Sequence, residues 1–259
     1  MEVNSCYAWD EKSNRRNNNK LFPKSIRGLI VGKSGCGKTT LLLNLILKPD
    51  WLDYDHLYVF GKSLHQKEYK ILKAGFEKGL SKDQITNIFE NQEVFHKNPH
   101  INPVEAIDAF DATIEDDTHA EFYDDCDEIP DPSELNPEDK NLMIFDDCIL
   151  EKKQSKAEAY YTRGRHNNCD SFYISQNYFL LPRKTVRENS NFILLFPQDD
   201  KNLNHIHKDH CTDISLDEFK RFCKQCWEKK HNFVVIDLSS EKRSGKYRCN
   251  FNMFYIPET

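Results

Sequence analysis

The amino-acid sequence predicts an α/β fold, a mostly parallel central sheet flanked by helices, and three observations carry that expectation. Short apolar runs of strand length alternate with helical stretches along the chain. The first run, Gly28-Leu-Ile-Val31, leads through a glycine-rich loop directly into a helical sequence. A later run, Leu142-Met-Ile-Phe145, is continuously apolar, as a strand buried on both faces is, and ends in Asp146-Asp147.

Taken in order, residues 1–20 include Ser13-Asn-Arg-Arg-Asn-Asn-Asn-Lys20, polar and aperiodic, and are expected to form a flexible arm ahead of a single domain spanning 21–259. The Gly28–Val31 strand is followed by Gly32-Lys-Ser-Gly-Cys-Gly-Lys-Thr39, then by a helix that Pro49 stops. His56-Leu-Tyr-Val-Phe60 is a second strand, with helical sequence from about residue 66 to 77 and from 83 to 90. Residues 105–139 hold fifteen Asp or Glu and no Lys or Arg, with prolines at 130, 132 and 137, and are expected to be an acidic loop or insertion, with a short helix near 104–110. After the 142–145 strand come a helix over 156–163, strands at 171–174, 192–196, 233–236 and 248–255, and a helix at 216–228.

Composition narrows the class. With 38% hydrophobic residues, 259 residues suffice for a large core, so the chain is expected to be globular. No apolar run approaches the roughly 20 residues that span a bilayer, and the opening Met-Glu-Val-Asn-Ser-Cys has no secretory pattern, so an intracellular location and no membrane partner are expected. The nine cysteines are odd in number, irregularly spaced and include one inside the glycine loop, which favours reduced thiols. Cys223-Lys-Gln-Cys226, with His205, His207, His210, Cys211 and His231 around it, is the nearest approach to a zinc pattern; the competing expectation is that Cys223 lies on the buried face of the 216–228 helix. The net charge of −6 hides an asymmetry: outside 105–139, 27 acidic residues stand against 36 basic ones, a balance of +9 that suits a polyanionic partner or an ordinary solvated surface.

The glycine loop has the Gly-x-x-x-x-Gly-Lys-Thr spacing of a P-loop, which identifies ATP and Mg²⁺ as the expected ligands. Its glycines let consecutive N–H groups turn inward around phosphates, and the following helix adds its positive end. The candidate nucleotide-binding residues are Gly32, Lys33, Ser34, Gly35, Cys36, Gly37, Lys38, Thr39 and Thr40. Lys38 is expected to reach the β- and γ-phosphates and Thr39 to ligate Mg²⁺. Asp146 is the second metal-side candidate, and Asp147 the residue that polarises the attacking water. Asp147 is one methylene shorter than the more usual Glu.

Farther on, Tyr160-Tyr-Thr-Arg-Gly-Arg-His-Asn-Asn168 leads into Ser171-Phe-Tyr-Ile-Ser-Gln176, and Leu-Pro and an Arg-x-Asn follow. The order of P-loop, acid pair, Thr-Arg-Gly-Arg-His and a strand ending in Ser-Gln resembles the viral DNA-packaging ATPases of the HerA/FtsK superfamily, in particular the poxvirus-type branch shared with other large DNA viruses, virophages and Polinton-like elements. The match covers most of residues 22–238 and is densest over 142–196. The resemblance implies a P-loop NTPase of the ASCE/RecA-like kind. It implies that Gln176 senses the γ-phosphate and that Arg165, with Arg163 as competitor, reaches the nucleotide of a neighbouring subunit. It also implies a homo-oligomeric ring, expected to be a hexamer, that moves double-stranded DNA into a capsid, with a capsid or portal protein as partner, at sites of virion assembly. Arg183, Lys184, Arg187 and the basic turn from Glu241 to Arg248 are candidates for contacts to DNA phosphates. The acidic segment has no counterpart in that pattern. Two alternatives share the P-loop: a nucleotide kinase, for which no arginine-rich lid is legible, and a nucleotide-dependent assembly scaffold.

Overall fold

Alternating apolar side chains along the central strands fill two separate cores, one on either face of a single sheet. The computed structural model describes residues 18–90, 104, 107, 118–148 and 154–257. Its strands are β1 (Arg27–Val31), β2 (His56–Gly61), β3 (His119–Tyr123), β4 (Asn141–Asp146), β5 (Cys169–Ser175), β6 (Phe192–Leu195), β7 (Val234–Asp237), β8 (Tyr247–Cys249) and β9 (Met253–Phe254). They are ordered β3-β2-β4-β5-β1-β6-β7-β8-β9. The pairings from β3 to β6 are parallel, and those from β6 to β9 antiparallel.

The period of two is visible in who packs where. Leu29, Val31, Met143, Phe145, Tyr173, Ile193 and Leu195 join one core. Their neighbours Ile30, Leu142, Ile144, Phe172, Phe192 and Leu194 join the other. Helices α1 (Lys38–Leu47), α2 (Lys67–Glu77) and α3 (Lys82–Glu90) cover the second core through Leu42, Ile46, Ile71, Leu72 and Ile85. Helices α4 (Ser155–Arg163), α5 (Asp200–His210) and α6 (Leu216–Cys226) cover the first through Tyr160, Tyr161, Leu203, Ile206, Phe219 and Phe222. Ser215 caps α6 by accepting from Glu218 N–H at 3.2 Å, and Asp199 caps α5 through Asn202 N–H at 2.8 Å. The α/β class with a mostly parallel sheet flanked by helices is therefore as the sequence predicts.

Several expectations are corrected. The acidic segment is not all loop, because His119–Tyr123 adds a parallel edge strand to β2. Asp131 and Glu134 then form a reciprocal cap on a short 3-10 turn, and Asp139 pairs with His56 at 3.3 Å. Residues 105, 106 and 108–117, with most of the helix expected near 104–110, lie outside the described residues, as do residues 1–17 of the arm. Asn18 and Asn19 are bonded to the domain: the Asn18 amide donates to Asp170 at 2.6 Å, and Asn19 N–H to Trp51 O at 2.9 Å. The strand expected at 248–255 divides into β8 and β9 around a turn at Asn250 (φ 54°).

Cys226 is joined to Cys249 in a disulfide, with Cα atoms 5.4 Å apart, against the expectation of reduced thiols throughout. Pairing of β8 with β7 sets Cys249 beside the end of α6, where Cys226 lies, and so brings together two cysteines 23 residues apart, a proximity invisible in their spacing. Cys223 lies in the core on α6. The histidines around it go to separate partners: His205 to Phe179, His207 to Ile214 O, His210 to Tyr178, and His231 to Cys36 O.

Two of the candidates for contacts to DNA phosphates are structural. Arg187 is 5% exposed and pairs with Asp209 at 3.3 Å, while Arg248 is 2% exposed and pairs with Asp237 at 3.0 Å. Buried guanidinium groups require such partners, so neither is free for phosphate. Lys246 is held by Asp213 at 2.7 Å, and Arg183 is exposed beside Glu188.

Candidate functional site

The parallel strands converge their carboxyl ends on one cleft, a cavity of about 660 Å³. The glycine loop follows β1, which lies between β5 and β6, so the loop sits near the middle of the row of strand ends. Two of its glycines adopt left-handed backbone, Gly35 at φ 72° and Gly37 at φ 109°, the second as the N-cap of α1. Gly32 is required for a different reason: a Cβ there would fall 2.6 Å from both Phe196 Cβ and Cys36 Sγ. Its N–H is tied to Ser175 O at 3.1 Å, which locks the loop to β5. The Lys38 ammonium lies back over the loop and donates to Gly32 O at 2.7 Å and Lys33 O at 2.9 Å. Ser34, Gly35, Gly37, Lys38, Thr39 and Thr40 all line the cavity. Gly32, Lys33 and Cys36 are not among the residues lining it; burial raises the Cys36 thiol pKa, keeping it a neutral thiol.

The acid pair closes the cavity from β4. Asp146 ends the strand, is 6% exposed, and accepts a hydrogen bond from the Tyr69 hydroxyl at 2.5 Å. Burial raises the Asp146 pKa most; the Tyr69 hydroxyl and the Lys38 charge act against burial, and the neighbouring Asp147 acts with it. Asp147 adopts a left-handed φ of 52°, which turns its carboxylate out of the strand line into the cleft. Gln176, immediately after β5, donates to Asp147 Oδ2 at 3.3 Å. Because β5 is inserted between β1 and β4, its end stands between the loop and the acids. The structure thus brings together Lys38, Thr39, Asp146, Asp147 and Gln176 around one cavity.

Arg163 and Arg165 lie elsewhere. The chain leaves β4 at the carboxyl end, returns along α4, and reaches them just before the amino end of β5. They are therefore at the opposite edge of the sheet from their own loop. Arg163 is bound to Asp131 at 3.1 Å. Arg165 is exposed and makes no hydrogen bond or ion pair among the described residues. The pKa of Arg27 is lowered chiefly by its own burial and next by the Arg165 charge.

Some site residues are not legible as such in the sequence. Ser63, Gln66 and Glu68 line the cavity from the segment after β2, and Tyr69 holds Asp146 across 77 residues. His231 and Phe233 line it from the start of β7. Because β7 runs antiparallel to β6, the turn before it lies at the carboxyl ends, whereas simple strand–helix alternation assigns that turn to the other edge. Oxygen ligands from Thr39 and Asp146, lining the same cavity as the glycine loop, suit a hard cation such as Mg²⁺ with a polyphosphate.

No family model matches the chain, and no curated protein matches it. Among solved structures, it is similar to the genome packaging NTPase B204 from Sulfolobus turreted icosahedral virus 2 in complex with sulfate, at 12% identity and a TM-score of 0.50, covering 87% of this chain and 95% of that one. The same protein in complex with AMPPCP is similar at 13% identity and a TM-score of 0.50, with 86% and 95% covered. At this identity the likeness shows a shared fold, the α/β fold of P-loop NTPases. Among the described residues no helix is long and apolar enough to cross a membrane.

Proposed function

We propose that this chain is an ATP-hydrolysing motor of the viral genome-packaging kind within the HerA/FtsK superfamily, translocating double-stranded DNA into a capsid as an oligomeric ring. The observation that carries the proposal is the place of β5: a strand inserted between the P-loop strand and the acid-bearing strand, ending in Gln176 within hydrogen-bond reach of Asp147. The shared fold with a genome packaging NTPase that was crystallised with an ATP analogue supports it.

In this reading the loop N–H groups and Lys38 bind the triphosphate, and Thr39 and Asp146 hold Mg²⁺, which neutralises phosphate charge when bound. Asp147 orients and deprotonates the attacking water. Gln176 holds Asp147 until a γ-phosphate is present, then exchanges that partner for phosphate oxygen. Arg165, at the far edge of the sheet, serves the loop of the next subunit. Lys184 and the exposed part of the turn from Glu241, chiefly Arg243, remain candidates for DNA phosphate; a capsid or portal protein is the structural partner.

Long duplex DNA is expected to stimulate ATP hydrolysis several-fold, measured as phosphate release with and without DNA. Transfer of phosphate to a nucleoside monophosphate instead identifies a kinase. Stoichiometric binding without turnover identifies a scaffold, and either outcome rejects the motor.

Tyr69 supplies a pH test. Asp146 works ionised, and the Tyr69 hydroxyl donates to that ionised form, so removing the hydroxyl raises the Asp146 pKa beyond what burial already does. Tyr69→Phe is expected to shift the acid limb of the rate profile to higher pH and leave the alkaline plateau nearly unchanged. An unmoved acid limb excludes Asp146 as the group that controls it.

A further inference from the structure

The order of strand ends gives a direction to whatever lies across them. Along the cleft the sequence is β4, β5, β1, β6, β7, with Asp146 and Asp147 at β4, Gln176 at β5 and the glycine loop at β1. If the acids and Gln176 face the terminal phosphate, as the proposed function requires, the ribose and base must extend the other way, over β6 and the turn that leads into β7.

That end of the cavity is built around His231. The residue is exposed and holds a left-handed φ of 68°, a conformation that costs free energy for a side chain other than Gly or Asn. Its surroundings enforce it. The Asn232 amide donates to Cys226 O at 2.9 Å, and Phe233 and Asn250 exchange hydrogen bonds, Asn250 N–H to Phe233 O at 2.8 Å and Phe233 N–H to Asn250 Oδ1 at 3.2 Å. The Cys226–Cys249 disulfide braces the base of the same turn. His231 Nδ1 lies 3.2 Å from Cys36 O; a carbonyl can only accept, so Nδ1 carries the proton and donates. This bond joins the turn to the glycine loop across 195 residues. Gly37 faces it, with the position of a Cβ 3.5 Å from Nδ1. Leu41, Phe196 and Phe233 line the cavity beside it, the two phenyl rings 5.6 Å apart.

We propose that His231 is the base-binding residue of the nucleotide site. The heteroaromatic base stacks on its imidazole face, with Leu41 and the two phenylalanines forming the apolar wall beside the stack. Stacking is tolerant of base identity, so the contact supplies affinity for a nucleoside over bare polyphosphate rather than discrimination among bases. The proposal rests on the nucleotide reading of the P-loop, and a ligand without a base separates the two.

The test compares dissociation constants of Mg-ATP and Mg-tripolyphosphate for the full chain and its His231→Asn variant. Asn adopts left-handed backbone and its amide can still donate to Cys36 O, so the substitution removes the ring and little else. His231→Asn is expected to weaken ATP roughly 5- to 150-fold and leave tripolyphosphate unchanged, with retained tripolyphosphate binding also reporting that the variant is folded. His231→Ala measured in parallel is expected to weaken ATP at least as much. Equal weakening of both ligands by His231→Asn would make His231 a support for the loop only, and unchanged ATP affinity would place the base elsewhere; either overturns the proposal. Failure of the unmodified chain to bind either ligand overturns the nucleotide reading itself.

Discussion

Lys38→Ala is expected to remove ATP binding at micromolar concentrations and to lower hydrolysis by roughly 10²–10³-fold or more. The ammonium is already positioned over the loop by Gly32 O and Lys33 O, so binding requires only that it exchange carbonyl partners for phosphate oxygens. A hydrogen bond to a charged group contributes about 1.5–3 kcal/mol, or roughly 10- to 150-fold in affinity for each one lost. The substitution has a second effect across the cleft. The Lys38 charge is one of the influences that hold the Asp146 pKa down against burial, so its loss favours the protonated acid. Lys38→Arg is not a conservative control, because a planar fork cannot follow a compact ammonium into the loop. Titration calorimetry with Mg-ATP, together with phosphate release, measures both effects. A variant that binds ATP within threefold of the unmodified chain rejects Lys38 as the phosphate residue.

What the sequence made legible is what short-range pattern controls. The strand–loop–helix from Arg27 to Leu47, the strand ending in Asp146 and the strand before Gln176 are each contiguous, and central parallel strands buried on both faces show as unbroken apolar runs. The edge strand His119-Ala-Glu-Phe-Tyr123 is not legible in the sequence because an edge tolerates charge and its five residues sit among carboxylates; only pairing with β2 makes it a strand. Arg187 and Arg248 are indistinguishable from surface cations until Asp209 and Asp237 are brought beside them. Site residues fail the same way: the hydroxyl that bonds Asp146 belongs to a helix 77 residues earlier, and the turn holding His231 reaches the cleft only because β7 is antiparallel. Residues that act through a distant partner leave no local trace.

Arg165→Ala is expected to bind ATP normally and to hydrolyse it about 10³–10⁵-fold more slowly, the range for removal of an arginine finger. The geometry behind this expectation is the separation of Arg165 from its own loop: one is at the amino edge of the sheet and the other at the carboxyl edge, with β5 running between them. On the proposed function, a cation there stabilises charge in another subunit rather than at its own loop. Arg163 is the natural comparison, since it is spent on Asp131 in an exposed pair that contributes about 0–1 kcal/mol; Arg163→Ala should change the rate by no more than a few-fold. Mixing decides whether the action is in trans. Lys38→Ala subunits retain Arg165, and Arg165→Ala subunits retain an intact loop, so a mixed ring contains interfaces at which both parts are present. Hydrolysis should reappear when the two inactive preparations are combined and should scale with the population of mixed particles. If the mixture stays inactive while native mass measurements show mixed rings, Arg165 is not the residue that completes the neighbouring site.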